Sequence, residues 1–165
     1  MQNLTELPSV YAEDLVPGAR NAVRTCLRIQ PRERVTIVTD LETEEIGASL
    51  AGEARLAGAE IDVHVMEDYG SRPMLTLPAP IAESLERADV SIYAGQPKTG
   101  ELAFRRALTK IVDRRQIRHA HMVSISHRIM VEAMRANFDE VDAISCRLLE
   151  RAKKAKKITA TSPAG

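Results

Sequence analysis

Polar side chains follow the segments of this sequence that alternate as β-strands. Asp40, Glu67 and Gln96 each come directly after a strand-like run, and a further run leads into the segment from Ser124 to His127. In open α/β sheets the carboxyl ends of the strands share one edge, where ligands usually bind. The set offers carboxylates, an amide, hydroxyls and an imidazole, with no nucleophile and base at a fixed spacing. It therefore predicts that the protein holds a ligand and does not cleave one.

A basic zone between the third and fourth strand-like runs adds a second kind of binding group. Its members are Arg105, Arg106, Arg114, Arg115 and Arg118. Most of them fall on an exposed face of a predicted helix, but guanidinium groups there could hold a carboxylate of a peptide or partner. The candidate peptide-binding residues are therefore Asp40, Glu67, Gln96, Arg105, Ser124 and His127.

Histidine spacing raises the alternative of a metal site. His119 and His121 are two residues apart on a predicted strand and so project to the same face, with His127 a few residues beyond. Zinc could use such imidazoles, but no third ligand with a characteristic spacing accompanies them. Packing or an ordinary hydrogen bond is the more common role of such histidines, and we predict no metal.

Cofactor and thiol chemistry are not favoured by the sequence. The first strand-like run is followed by Asp40-Leu41-Glu42-Thr43 instead of the glycine-rich dinucleotide fingerprint, and the chain has no Walker loop. Cys26 and Cys146 both lie in helical patterns, where a free cysteine is commonly buried as a small hydrophobic residue. We therefore predict no cofactor and no catalytic thiol.

The hydrophobic period alternates along the chain between strand-like and helix-like, which is typical of alternating β and α units. Predicted strands span residues 35–39, 61–66, 90–94, 119–125 and 158–161, and predicted helices span residues 19–29, 43–57, 81–87, 100–115, 126–134 and 140–153. The first strand is β-branched throughout, which indicates a central position, whereas the second alternates and is expected nearer an edge. Residues 70–80 form a long, proline-rich connection of the kind that is often functional or mobile.

These elements predict a single α/β domain over residues 1–165, with a loose segment at residues 1–10. We expect three layers, with a mostly parallel sheet of about five strands and helices on both faces. The 23 Lys and Arg residues balance 23 Asp and Glu residues, so no overall field attracts nucleic acid or an anionic membrane. No segment has the order of a signal peptide or the apolar length of a membrane span, so a cytoplasmic location is expected.

Five short segments carry a family resemblance. They are Leu27–Ile37, with Arg32 where Gly is usual in Gln-Pro-Gly-Glu-x-Val; Glu53–Ala59, similar to Glu-Ala-x-x-x-Gly-Ala; Ala88–Tyr93; His121–Ser126, with Val and Ser where Pro and Gly are common; and Ile158–Gly165. Together they resemble the N-terminal domain of the thermophilic metallo-aminopeptidases, the aminopeptidase T and S group, which is leucyl aminopeptidase-like. The last segment resembles the strand that continues into the family's catalytic metal domain, which is absent from this sequence.

The resemblance implies an α/β domain that walls a substrate cavity, contacts peptide and takes part in dimeric assembly. The family's two-metal site is assembled from residues of the second domain, so no catalytic or metal residue is carried over. We therefore predict a non-catalytic peptide-binding or accessory protein, which could present a peptide to a modifying partner enzyme. One half of a split or truncated metal-dependent aminopeptidase, or a purely structural dimerisation subunit, are the alternatives. A homodimer through the last predicted strand and its neighbours is also expected, because losing a partner domain exposes a face.

Overall fold

A computed structural model gives the fold of the protein and describes residues 7–163. The chain forms two compact units, Met1–Arg135 and Ala136–Gly165. The expectation of a single domain stays a prediction. Residues 1–6 of the segment predicted to be loose lie outside the described residues. Residues 7–10 form no helix or strand, although Leu7 packs against the core.

The first unit alternates strands and helices, and the second contains one helix. The strands are β1 Arg34–Thr39, β2 Glu60–Val65, β3 Val90–Gly95 and β4 Arg118–Val123. The helices are α1 Val16–Arg20, which continues as a π-helical turn over Asn21–Cys26, α2 Glu44–Leu56, α3 Ala79–Arg87, α4 Leu102–Arg115, α5 His127–Val131 and, in the second unit, α6 Phe138–Ala152. Short 3₁₀ turns occur at Glu13–Leu15, Met66–Tyr69 and Ala133–Arg135.

The sheet is parallel, and its strand order is β2-β1-β3-β4. The β-branched strand β1 is central and the alternating strand β2 is at an edge, as its residue pattern predicts. The sheet has four strands and not about five, because residues 158–161 form no strand and are exposed. Ile158 and Thr159 favour extended structure locally, but a strand also needs a neighbour that pairs with its backbone.

Two hydrophobic clusters place helices on both faces of the sheet, which gives three layers. On one face, the side chains of Ile37 and Ile92 pack with residues of α1, α2 and α5. On the other face, Val38 and Tyr93 pack with residues of α3 and α4, including the fully buried Phe104. Both faces of the central strands are therefore covered, as expected for strands that read as continuous apolar runs.

Local signals set the ends of two helices. Gly58 has a φ of 85°, a left-handed conformation that suits glycine, and it follows the last turn of α2. Ser126 caps α5, because its side chain accepts a hydrogen bond from the backbone N–H of Ile129. The predicted helix at residues 126–134 is shorter in the structure, since α5 ends at Val131 and a 3₁₀ turn follows.

Both cysteines are exposed, so the buried position that is common for a free cysteine in a helical pattern applies to neither. Cys26 lies at the end of the π-helical turn, and Cys146 lies on α6, which contributes no buried residue. Helical periodicity shows which residues share a face, but it does not show whether another element covers that face. Among the described residues, no helix combines the length and the apolar character needed to cross a membrane.

Replacement of Gly18 tests the packing of α1 on α5. A Cβ atom at Gly18 would lie 2.5 Å from the backbone oxygen of Met130. We expect Gly18→Ala to lower the free energy of unfolding by about 1–3 kcal/mol, because one helix must move away from the other. The measurement is urea unfolding followed by circular dichroism.

Gly52→Ala is the matched control. Its Cβ atom would meet the hydroxyl end of the Tyr11 side chain at 2.4 Å, and that ring can swing away. The higher helix propensity of alanine then makes this change neutral or stabilising by up to about 1 kcal/mol. If both variants lost the same free energy of unfolding, a clash with the backbone at Gly18 would be no more costly than a clash with a movable side chain at Gly52, which would contradict this prediction.

Candidate functional site

The order of the strands reverses between β1 and β3, and their carboxyl ends form a crevice there. Strand β1 leads into Asp40, and β3 leads into Gln96. The backbone N–H of Gln96 donates to Oδ2 of Asp40 at 2.6 Å, which joins the two strand ends directly. This reversal is the place where open α/β sheets usually bind ligands.

The guanidinium group of Arg72 fills this crevice. Its Nη1 donates to Asp40 Oδ2 at 3.0 Å and to Glu67 Oε1 at 3.2 Å, and its Nη2 donates to Gln96 O at 2.7 Å. Glu101 accepts two further hydrogen bonds, at 2.6 Å from Nη2 and also from Nε. The Arg72 side chain is 7% exposed, and those of Asp40 and Glu101 are fully buried. We call Arg72, Asp40, Glu67 and Glu101 the Arg72 cluster.

Backbone N–H groups and a hydroxyl hold the two fully buried carboxylates in place. Oδ1 of Asp40 accepts from the backbone N–H of Thr43 at 2.9 Å and from its hydroxyl at 2.7 Å. Glu101 accepts from the N–H of Met74 at 2.9 Å and from that of Lys98 at 3.2 Å. Because the donors come from different loops, these carboxylates tie together the irregular segments at this edge of the sheet.

The pKa values of Arg72 and Glu101 are both shifted in the direction that favours the charged form. Burial by itself lowers the pKa of Arg72, but hydrogen bonds to Glu101 and Asp40 raise it above the ordinary value. Burial likewise opposes ionisation of Glu101, yet hydrogen bonds from Arg72 and from backbone N–H groups hold its pKa below the usual range. Three carboxylates face one guanidinium group, so the cluster carries excess negative charge.

A cleft of about 210 Å³ opens at the same edge of the sheet, and we call it the Gln96 cleft. It is lined by Glu42, Thr43, Glu45, Ile46, Gln96, Ile125, Ser126 and His127. Gln96 belongs to both sites, because its backbone bonds to Asp40 and its side-chain Nε2 donates to the carbonyl of Ile125 at 2.5 Å. The cleft thus has two acidic residues, a histidine and an apolar part from the two isoleucines.

The polar groups of the Gln96 cleft have partners on the same protein. Glu42 pairs with Nζ of Lys98, and Oε1 of Glu45 accepts from the backbone N–H of Ala12 at 2.7 Å. Nε2 of His127 lies 3.0 Å from Oδ1 of Asp14. The Glu42–Lys98 pair is exposed at 56% and 40%, so water weakens it and a competing cation can replace Lys98.

The structure brings some of the predicted residues together and separates others. Asp40, Glu67 and Gln96 meet around Arg72, and His127 shares the Gln96 cleft with Gln96. Ser124 is exposed and outside that cleft, with its backbone N–H donating to the carbonyl of Gly95. Arg105 lies on α4, and its buried Nε has no hydrogen-bond partner among the described residues. The peptide-binding role of all six stays a prediction.

Sequence reasoning missed Arg72 and Glu101. Arg72 is in the proline-rich connection that the sequence marks as functional or mobile, but its partners Asp40 and Glu101 are 32 and 29 positions away. Glu101 immediately precedes α4 and resembles an ordinary acidic residue at a helix start. No local spacing connects these residues, because the fold alone brings the loop across the strand ends.

A second polar cluster lies on the α4 side of the sheet. Nε2 of His119 is 3.1 Å from Nδ1 of His121, and Nδ1 of His119 is 2.8 Å from the hydroxyl of Ser91. The ring of His121 stacks on Tyr93, with centroids 5.3 Å apart. Burial, followed by the neighbouring His121, lowers the pKa of His119 to about 4. Burial also raises the pKa of Tyr93 to about 12, so both groups are neutral at physiological pH.

The two histidines share a face as predicted, but they form a pair and not a larger cluster. Across residues 7–163, no group of three or more His, Cys, Asp or Glu residues is placed to hold a metal ion. His127, the third histidine considered for a metal site, instead contacts Asp14 in the 3₁₀ turn Glu13–Leu15. Ser91 is 1% exposed within β3, so its hydroxyl is a partner of His119 and not an accessible nucleophile.

The fold and site define an α/β protein with a parallel sheet, a filled crevice at the strand reversal and a small polar cleft beside it. No family model and no curated protein matches the chain. Among solved structures, the chain is similar to the crystal structure of CurK enoyl reductase, with 16% identity and a TM-score of 0.39. The match covers 89% of this chain and 51% of that chain, so the chain spans about half the length of that structure. A likeness at this TM-score carries no argument about function.

Removal of the central guanidinium tests the Arg72 cluster. We expect Arg72→Met to lower the free energy of unfolding at pH 7 by about 3–5 kcal/mol, because it leaves buried carboxylates without their counterion. Glu101 has a folded pKa below its unfolded pKa, so its contribution is present above the unfolded pKa and is lost as pH falls. The difference from the parent chain should therefore shrink below about pH 4.5 in urea unfolding.

Arg114→Met is the control for the Arg72 substitution. Arg114 also pairs with a glutamate, Glu86, but the two side chains are 59% and 40% exposed. Exposed pairs contribute little, so we expect a loss below about 1 kcal/mol. If Arg72→Met lowered the free energy of unfolding no more than this control, the Arg72 cluster would not stabilise the carboxyl edge of the sheet as we infer.

The histidine pair should make stability depend on pH in a second range. The folded pKa of His119, about 4, is below its ordinary value of 6.5, so its contribution is present above pH 6.5 and is lost as pH falls towards 4. We expect the free energy of unfolding of the parent chain to fall over this range by an amount on the order of 2–3 kcal/mol, and less in His119→Gln. Parallel stability profiles for the two proteins between pH 7 and 4 would contradict this assignment.

Proposed function

We propose that the chain is a non-catalytic peptide-binding or accessory protein of the cytoplasm, which holds the N-terminal amine of a peptide in the Gln96 cleft. The bound peptide is presented to a modifying enzyme. The proposal is supported by the position of the cleft at the carboxyl edge of a parallel sheet, where such folds bind ligands. It is also in keeping with the resemblance of the sequence to an aminopeptidase N-terminal domain.

The observation that carries the proposal is the negative charge around the cleft. Glu42 and Glu45 line it, and Gln96 connects it to the Arg72 cluster, in which carboxylates outnumber the guanidinium. An ammonium group is stabilised by such surroundings, and the isoleucines beside it suit a small apolar side chain. A carboxylate or phosphate would be repelled from the same place.

The size of the cleft supports capture of a peptide end. A volume of about 210 Å³ is below the usual range of roughly 300–1,000 Å³ for pockets that enclose a whole small-molecule ligand. It suits one terminal residue, with the rest of the peptide outside. Affinity is then modest, because a single residue contributes few contacts, and a partner enzyme can remove the peptide readily.

The non-catalytic part of the proposal is supported by how the reactive groups are used. Asp40 and Glu101 are fully buried and hold Arg72, so their oxygens are occupied by hydrogen bonds. The hydroxyl of Ser91 is buried against His119. These groups are therefore engaged in contacts that hold the fold together, and none of them is exposed for acid–base or nucleophilic chemistry.

Isothermal titration calorimetry with short peptides tests the proposal. The probes are tetrapeptides that begin with alanine, valine or leucine, each with a free or an acetylated N-terminus, in the presence of EDTA. We expect saturable binding of the free forms and at least about tenfold weaker binding of the acetylated forms. Equal affinity for both forms, or no saturable heat with any free peptide, would overturn amine capture.

Two variants locate the binding site within the cleft. Glu42→Gln should weaken binding of the free peptides about three- to tenfold, because it removes one negative charge. Lys98→Met should strengthen it, since it frees Glu42 from its pair. Glu86→Gln, which changes another exposed, paired glutamate, is the control and should leave the affinity unchanged. The split-enzyme alternative differs from the proposal, because it expects peptide hydrolysis once a catalytic metal domain is added.

A further inference from the structure

Helix α6 presents an apolar stripe that no described residue of its own unit buries. With 3.6 residues per turn, Val141, Ile144, Leu148, Leu149 and Ala152 fall within an arc of about 140°. The four larger side chains are 47%, 45%, 61% and 52% exposed, in that order along the chain. An exposed stripe of neighbouring large apolar side chains indicates an interaction surface and differs from single exposed leucines.

The prevailing sign of the side-chain charge changes along α6. The first turns carry Asp139, Glu140 and Asp142, and the last turns and the residues after them carry Arg147, Arg151, Lys153, Lys154, Lys156 and Lys157. One acidic residue, Glu150, lies among these basic residues and pairs with Lys153 at 3.1 Å. Glu140 and Arg151 lie on one flank of the apolar stripe, and Asp142 and Lys153 lie on the other flank. A surface of this kind has an acidic end and a basic end on both of its borders.

The charge gradient decides how a second copy of the same helix can pack. In a parallel pair the two acidic ends lie side by side, and so do the two basic ends, so like charges would repel one another. In an antiparallel pair centred near Cys146, Ile144 of one copy meets Leu148 of the other. Glu140 is then nearly level with Arg151 on one flank, and Asp142 lies within about one helical turn of Lys153 on the other.

We propose that α6 is a dimerisation surface, on which a second copy of this chain docks in antiparallel orientation. The argument is the complementarity of the helix to itself in both apolar and charged residues. The proposal goes beyond peptide capture and does not depend on the Gln96 cleft. It also differs from the sequence expectation of a dimer through the last strand, because residues 158–161 form no strand.

The association is expected to be reversible. A 15-residue helix is marginal by itself and buries only a small interface with one partner helix. Pairing should therefore stabilise α6 and depend on protein concentration. Salt should weaken it, because the charge pairs on the flanks are exposed.

Sedimentation velocity of the full chain over a concentration series tests the surface. The parent chain should shift from monomer to dimer, and Leu148→Asp should weaken the dimer at least about tenfold. Ala143→Asp is the matched control, because it places the same acid on the opposite face of the same helix and should leave the dimer intact. A parent chain that stays monomeric at all concentrations, or equal effects of the two variants, would overturn the proposal.

Charge reversal tests the orientation. Glu140→Arg and Arg151→Glu should each weaken the dimer by about threefold or more, and the double variant should regain most of the parent affinity. Failure of the double variant to recover would exclude the antiparallel arrangement. Peptide calorimetry on Leu148→Asp separates the two proposals, because loss of the dimer should leave binding in the Gln96 cleft unchanged.

Discussion

The buried guanidinium of Arg72 is the interaction on which the carboxyl edge of the sheet depends. Burying a charge is costly unless it is paired and hydrogen-bonded, and here all the nitrogens of the group have acceptors. The acceptors come from the ends of two strands, the segment after β2 and the start of α4. A single side chain therefore links four segments through residues that all lie beyond the paired parts of the strands.

This constraint also shapes the chemistry of the neighbouring cleft. Gln96 is held on one side by Asp40 and on the other by Ile125, so the cluster positions one wall of the cleft. The carboxylates that hold Arg72 are engaged in hydrogen bonds, and there are three of them for one guanidinium group.

Sequence reasoning succeeded for features that depend on residues close together in the chain. The β-branched run of β1 and the helix that begins next to Ser126 depend on residues close in sequence, and both lie where the sequence places them. The prediction of a fifth strand is wrong because a local preference for extended structure does not supply a neighbouring strand to pair with. The cysteines are exposed because helical periodicity does not show whether another element covers a face of the helix. In the candidate site, the strand-end rule found Asp40, Glu67 and Gln96, but it gave no reason to select Arg72.

The sequence by itself determined the order of the four strands and of the helices between them, the polar residues at the strand ends and the two-sided character of α6, since each is set by side-chain type and spacing. Only the tertiary structure decided that Arg72 occupies the crevice and that Glu101 completes its shell. Their contacts span about thirty positions of chain. Such contacts arise when strand order and crossovers bring distant loops to one edge, because the energy of pairing buried charges depends on distances that no local pattern encodes.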